Sequence, residues 1–161
     1  MLGLGYPAGA QIDRRASTGD PNAVRLPHAM KGRGLDFSFS GMKTAVRTHL
    51  QKHGVPTGQA LADLCASFQA KVVDQLVEKT MTALELRKMP QLVLAGGVAC
   101  NKGLRRALEL ESQRRGFELF APPPARCTDN ASMIACAGFH RLARGERSDL
   151  SLNPTACLPL G

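Results

Sequence analysis

Apolar residues recur at helical spacing over five stretches of the chain, and each stretch has a plausible start or stop signal. Met42, Val46 and Leu50 mark one stripe, which ends at Gly54 and Pro56. The longest stripe begins near Thr57, and Pro90 breaks the pattern after it. The pattern predicts helices over residues 8–16, 41–53, 57–86, 101–115 and 128–144.

Four other segments have the composition of strands. "AVRLP" (23–27) predicts a short strand, and "GLDFSFSG" (34–41) alternates apolar and polar residues as a half-buried strand does. "QLVLAGG" (91–97) is nearly all apolar, which is typical of a parallel strand buried on both faces. "FELFAP" (117–122) predicts its neighbour. Strand and helix then alternate, which indicates an α/β fold with parallel strands at about residues 92–96 and 117–121. The helical residues 41–86 form either an insertion or one layer of that fold.

Two glycines directly follow the predicted strand "LVLA". Gly96 and Gly97 lie between this strand and the helix that begins near Asn101. In α/β folds ligands bind beyond the carboxyl ends of strands, and glycine lets a ligand approach the backbone closely. The alternative is a tight turn between strand and helix, with Asn101 as the N-cap. The residues leave both interpretations open.

A second polar stretch, "CTDNASM", follows the next strand. Asp129 or Thr128 could cap the following helix, and Asp129 could instead bind a metal or a substrate. The two strand-end loops are expected to converge on one crevice. "SFSGMK" offers Ser40 and Lys43 at a helix start, as a phosphate contact or as a plain helix start with an exposed lysine.

Composition narrows the classes of function. The formal charge of +8 and the pI of about 9.7 fit either an anionic partner, such as nucleic acid or nucleotide, or a merely basic surface. The five cysteines form no CxxC pair, which argues against a zinc knuckle and favours a reducing cytosol. No apolar run approaches the ~20 residues that span a bilayer. His49 and His53 are four residues apart, but "LQK" between them lacks the glutamate of a HExxH zinc protease.

Three segments, in this order, resemble one family. "FSFSGMKTAV", "LVLAGGVACNKGLR" and "CTDNASMIACAG" are similar to the signature stretches of the tRNA N6-adenosine threonylcarbamoyltransferase family (TsaD or Gcp, once regarded as a glycoprotease). "LGLGYPAG" fits its bacterial branch. The resemblance implies a partial ribonuclease-H-like lobe of the actin-like, sugar-kinase and Hsp70 ATPase superfamily.

The resemblance also implies a chemistry. Family members transfer threonylcarbamoyl from threonylcarbamoyl-AMP to N6 of adenosine 37 in tRNAs that read codons starting with A. By motif match, Gly9, Gly96, Gly97 and Asn101 bind the adenine nucleotide, and Asp129 is a metal ligand. The implied cofactor of the complete enzyme is a divalent metal, with iron preferred over zinc or magnesium. The implied partners are tRNA and the other subunits of the threonylcarbamoyl-transfer complex, in the cytoplasm and without a membrane.

Several features depart from the family pattern. Family members are about twice as long, and the His-x-x-x-His pair that completes their metal site precedes the stretch matched by "LGLGYPAG". No such pair precedes it here. We therefore expect residues 1–161 to be the C-terminal portion of a TsaD-like domain, inactive alone, with no stoichiometric metal. The alternative is a non-catalytic nucleotide-binding or protein-interaction module derived from the family. A third hypothesis, a metalloprotease, is not supported, because the sequence offers no set of metal ligands for it.

Overall fold

A computed structural model of the chain describes residues 2–5, 7–28 and 30–155. The chain divides into two compact units, Met1–Cys127 and Thr128–Gly161. The first contains the elements α1 (Ala8–Ala16), α2 (Phe39–His53), α3 (Gly58–Arg87), β1 (Gln91–Val93), α4 (Lys102–Arg115) and β2 (Glu118–Phe120). The second contains α5 (Ala131–Ala143). All five predicted helices are therefore present, with ends within a few residues of those expected.

The two strands in the second half of the sequence pair as predicted. β1 and β2 are parallel, with Leu92 opposite Leu119 in the register. Both strands are only three residues long, so the expected ranges were too wide. The amide of Leu94 still donates to the carbonyl of Phe120 at 2.8 Å, which continues the ladder one residue past β1.

The expectation that β1 is buried on both faces is wrong for the described part of the chain. Leu92, Leu94 and Leu119 pack against a hydrophobic cluster. Its buried residues are Met81 of α3, Leu104 and Leu108 of α4, and Phe117, which precedes β2. Val93 and Phe120 point to the other face, where 68% and 45% of their surface is exposed. The pair of strands therefore has one covered face and one open face.

Helix α3 connects two hydrophobic clusters. Its C-terminal half contributes Met81 to the cluster beside the sheet. Its N-terminal half contributes Phe68 and Val72 to a second cluster around Leu26, Met42 and Val46. Because α3 packs against the sheet residues themselves, it forms a layer over the sheet.

Two predicted strands are wrong. Residues 23–27 form no strand: the amide of Val24 donates to the Ser67 hydroxyl of α3 at 3.0 Å, and Leu26 is buried in the second cluster. In "GLDFSFSG", α2 already begins at Phe39, and the expected buried face is 37–47% exposed at Leu35, Phe37 and Phe39. An alternating pattern marks a possible face, but a strand also needs a partner for its backbone hydrogen bonds.

Loop 30–34 is held by a buried lysine of α3. The ammonium group of Lys79, which is 3% exposed, donates to the carbonyls of Met30, Arg33 and Gly34 at 2.6–3.1 Å. Three carbonyl oxygens compensate part of the cost of burying this charge. No helix in the described part of the chain is long and apolar enough to cross a membrane.

Candidate functional site

The glycine pair lies just beyond the end of β1, as predicted. Gly96 has a φ of +86°, which favours glycine for conformational reasons alone. Gly97 begins a 3-10 turn, Gly97–Cys100, and its φ lies outside the left-handed region. A Cβ atom built on Gly97 would meet no described atom within 4 Å. The packing of the described residues therefore does not require glycine at this second position.

Asn101 caps α4 and joins three helices. Its side-chain oxygen accepts from the amide of Leu104 at 2.8 Å, so the helix-cap interpretation is confirmed. Its side-chain nitrogen donates to Asp13 of α1 at 3.1 Å and to Gln69 of α3 at 2.9 Å. Both donors and the oxygen of this amide thus have partners inside the protein.

Two of the predicted nucleotide-binding residues line one cavity. Gly9, in the first turn of α1, and Asn101 share a cavity of about 110 Å³ with Val98 of the 3-10 turn. Gly96 and Gly97 immediately precede Val98 but do not line the cavity. Ligand pockets usually measure about 300–1,000 Å³. This cavity is therefore too small to enclose a nucleotide and could accept only part of one.

The loops after β1 and β2 meet through α4. The guanidinium group of Arg105 donates from Nε to the carbonyl of Ala99 in the first loop. It also donates to the carbonyl of Pro122 in the second loop at 2.6 Å and contacts the Cys127 sulfur at 3.1 Å. The Cys100 thiol adds a contact to the carbonyl of Pro124 at 3.4 Å. The loop after β1 therefore contacts the loop after β2 over residues 122–127, as the sequence predicted for the two loops.

Sequence reasoning overlooked Arg105. Its position, four residues after the N-cap Asn101, places it one helical turn from the loop that it bonds. That spacing was the available signal, but an arginine in a basic helix is usually solvated, and nothing else in the sequence distinguishes Arg105 from Arg106.

Asp129 and Thr128 do not cap α5. The N-cap is Asn130, whose side-chain oxygen accepts from the amide of Met133 at 3.2 Å. Asparagine caps a helix about as well as aspartate does, so the N-cap can lie one residue later in the sequence than predicted from Asp129. The carboxylate of Asp129 is exposed and has no helix-capping role.

The described residues do not form a complete metal site. Among them, no group of three or more His, Cys, Asp and Glu side chains is placed to hold a metal ion. Asp129 could supply one carboxylate, whereas a divalent ion takes several ligands.

The remaining candidates have ordinary structural surroundings. The rings of His49 and His53 are 4.7 Å apart on α2. Burial, and secondarily the charge of His53, lower the pKa of His49. Lys43 is exposed on the rim of a largely apolar cavity of about 180 Å³. The thiols of Cys65 and Cys127 are buried, that of Cys136 is exposed, and Cys157 lies outside the described residues.

The parallel strand pair, with helices and polar caps following its carboxyl ends, is typical of α/β ligand-binding domains. Comparison with known proteins identifies the particular family. Residues 1–136 match the family model described as TsaD, tRNA N6-adenosine threonylcarbamoyltransferase, and the chain belongs to this family.

Individual relatives agree with this assignment. A protein of Anaeromyxobacter dehalogenans named tRNA N6-adenosine threonylcarbamoyltransferase is 55% identical over 95% of this chain and 46% of its own length. Proteins of the same name from Trichlorobacter lovleyi and Geobacter sulfurreducens are 52% and 48% identical, over 99% of this chain and 47% of their own lengths. The chain spans about half the length of the curated relatives that it matches.

Proposed function

We propose that residues 1–161 are the C-terminal, nucleotide-holding portion of a tRNA-modifying transferase. The reaction is transfer of threonylcarbamoyl from threonylcarbamoyl-AMP to N6 of adenosine 37 in tRNAs that read codons starting with A. The fold would be part of a ribonuclease-H-like lobe of the actin-like superfamily, inactive without the rest of that enzyme. The observation that carries the proposal is the family match together with the shared cavity of Gly9 and Asn101.

The glycines would leave room for the ligand. A Cβ on Gly9 or Gly97 would meet no described atom within 4 Å, so neither glycine is explained by protein packing. A nucleotide lying along the 3-10 turn would explain both. Since both N–H donors of the Asn101 amide are engaged, donation to the nucleotide would replace its bond to Asp13 or to Gln69, whereas its side-chain oxygen could accept a second bond.

Asp129 would supply one ligand to the metal, and the others would come from outside the described residues. The metal, when bound, would act as a Lewis acid on donor or acceptor oxygens. The net charge of +8 suits a tRNA partner, because phosphate contacts dominate the affinity of nucleic acids for proteins. Partner subunits of the transfer complex belong to the same proposal.

A Gly97→Ala substitution tests the nucleotide site directly. The added methyl group meets only open space in the protein, so the melting temperature should hardly change. It should weaken binding of threonylcarbamoyl-AMP to the chain by about tenfold or more, as measured by isothermal titration calorimetry. Gly138→Ala is the matched control, because its Cβ is equally unobstructed but lies in α5. Equal affinity in all three proteins would contradict a nucleotide beside Gly97.

A further inference from the structure

Arg105 makes the most extensive side-chain link between the two strand-end loops in the described chain. It lies in the first turns of α4 and is only partly buried. Its guanidinium group reaches Ala99 on one side and Pro122 and Cys127 on the other. One side chain therefore bonds the backbone of both loops that follow the parallel strands.

Several backbone bonds described for the two loops are local turns. In the first loop Ala99 is buried, Val98 is 65% exposed, and the amide of Ala99 donates to the nearby Gly96 carbonyl at 3.0 Å. In the second loop the amides of Arg126 and Cys127 bond carbonyls three residues back, at 2.8 and 3.1 Å. Such local turns do not fix one loop relative to the other. The backbone bond from Leu94 to Phe120 joins the loops where they begin, and Arg105 and Cys100 supply side-chain contacts between them farther along.

The shape of the arginine side chain suits this link. A guanidinium group presents several N–H donors in a rigid plane, so Nε and one Nη can point to different acceptors at once. A lysine carries its three donors on one atom, so it lacks the two separate donor positions, Nε and Nη2, with which Arg105 bonds Ala99 in one loop and Pro122 in the other. The buried Cys127 thiol, 3.4 Å from the carbonyl of Pro122, completes the second anchor.

We propose that Arg105 is a positioning residue of the nucleotide site. By holding the two loops together it keeps the 3-10 turn, with Gly97 and Val98, in the arrangement that receives an adenylate. This role rests on the proposed function, because without a nucleotide there is nothing for the loops to position. It adds a residue for which the family resemblance implied no role.

The test compares Arg105→Lys with Arg106→Lys, which makes the same exchange one position along α4 at an exposed site. Hydrogen exchange should be at least about tenfold faster in Arg105→Lys at the amides of Ala99, Asn101, Arg126 and Cys127. Amides in the middle of α3 should keep their protection, which shows that the variant is folded. The affinity for threonylcarbamoyl-AMP should fall about tenfold or more in the same variant. Arg106→Lys should change neither quantity.

The outcomes separate the two proposals. Unchanged exchange in both loops of Arg105→Lys would overturn the linking role. Faster exchange with undiminished affinity would overturn the positioning role. If the unsubstituted chain bound no threonylcarbamoyl-AMP at all, the proposed function of this chain would fail. The exchange data alone would then decide whether Arg105 joins the loops. Loss of α3 protection would assign Arg105 to general stability and overturn the proposal.

Discussion

Two glycines show that the same residue can be required for different reasons. Gly96 is needed for its backbone, since its φ of +86° is strained for other residues. Gly19 is needed for space, because a Cβ there would lie 2.1 Å from the carbonyl oxygen of Ala62 in α3. Gly97 satisfies neither condition, which is also true of Gly5 and Gly138, and its position just beyond β1 is what makes it the informative position for a ligand.

Replacing Gly19 by alanine should therefore unfold the protein more easily. The loop around Gly19 is pinned to α3, where the amide of Asp20 donates to Asp63 at 2.9 Å, so it cannot retreat without losing bonds. We expect the free energy of unfolding in urea to fall by about 2 kcal/mol or more, as overpacking commonly costs. Gly5→Ala, whose Cβ meets no described atom, is the control. A Gly19→Ala protein as stable as this control would show that the close approach to α3 is wrong.

His49 should make stability depend on pH. Burial is the larger cause that lowers its pKa in the folded state, and His53 adds to it. The unfolded chain then binds more protons near pH 6.5, so stability falls as the pH drops from about 7.5 to about 5.5. His49→Gln should show a smaller fall in melting temperature over this interval. His53→Gln, which removes only the lesser cause, should retain most of it. An identical pH profile in His49→Gln would refute the assignment.

Among the elements, helices were more predictable than strands. The stripes of α3 and α4 repeat over several turns, and local caps such as Asn101 and Gly116 reinforce them. In segment 34–41, the alternation of apolar and polar residues that is typical of a strand extends over only a few residues. Whether this segment forms a strand depends on a pairing partner elsewhere in the chain, and the local sequence pattern does not show whether that partner exists.

Long-range polar contacts were the other unpredictable part. Lys79 is buried beneath loop 30–34, although lysine is rarely buried in proteins. Arg105 likewise bonds residues on both strand-end loops. In contrast, Asn101 could be identified because its capping role is local. The sequence thus predicted the helix and strand ends that form the site, but it did not predict the long-range side-chain contacts that join them.

At the scale of the whole molecule, the small sheet is incompletely covered. The described part of the chain forms a single sheet of two strands, with Val93 and Phe120 exposed on its open face. In α5, no residue is buried, and Ile134 and Phe139 are 75% and 67% exposed. Exposed edges and apolar faces of this kind favour association with another chain.

We therefore expect the isolated chain to self-associate or to be poorly soluble. Light scattering over a range of concentrations should show a mass that rises above that of a 17.2 kDa monomer. Substituting Val93 and Phe120 by threonine should shift the equilibrium toward monomer. A clean monomer at high concentration, with cooperative unfolding, would count against an exposed association surface.

The most direct test of the transferase assignment is mass spectrometry of tRNA nucleosides after incubation with threonylcarbamoyl-AMP. The chain should be joined to the part of the Anaeromyxobacter dehalogenans relative that it does not match, and also assayed alone. We predict threonylcarbamoyladenosine with the joined protein and none with the chain alone. Asp129→Asn should abolish the product without lowering stability, since Asn130 rather than Asp129 caps α5. Failure of a folded joined protein to modify tRNA would contradict the transferase assignment and favour a non-catalytic module, and normal activity of Asp129→Asn would contradict the metal role.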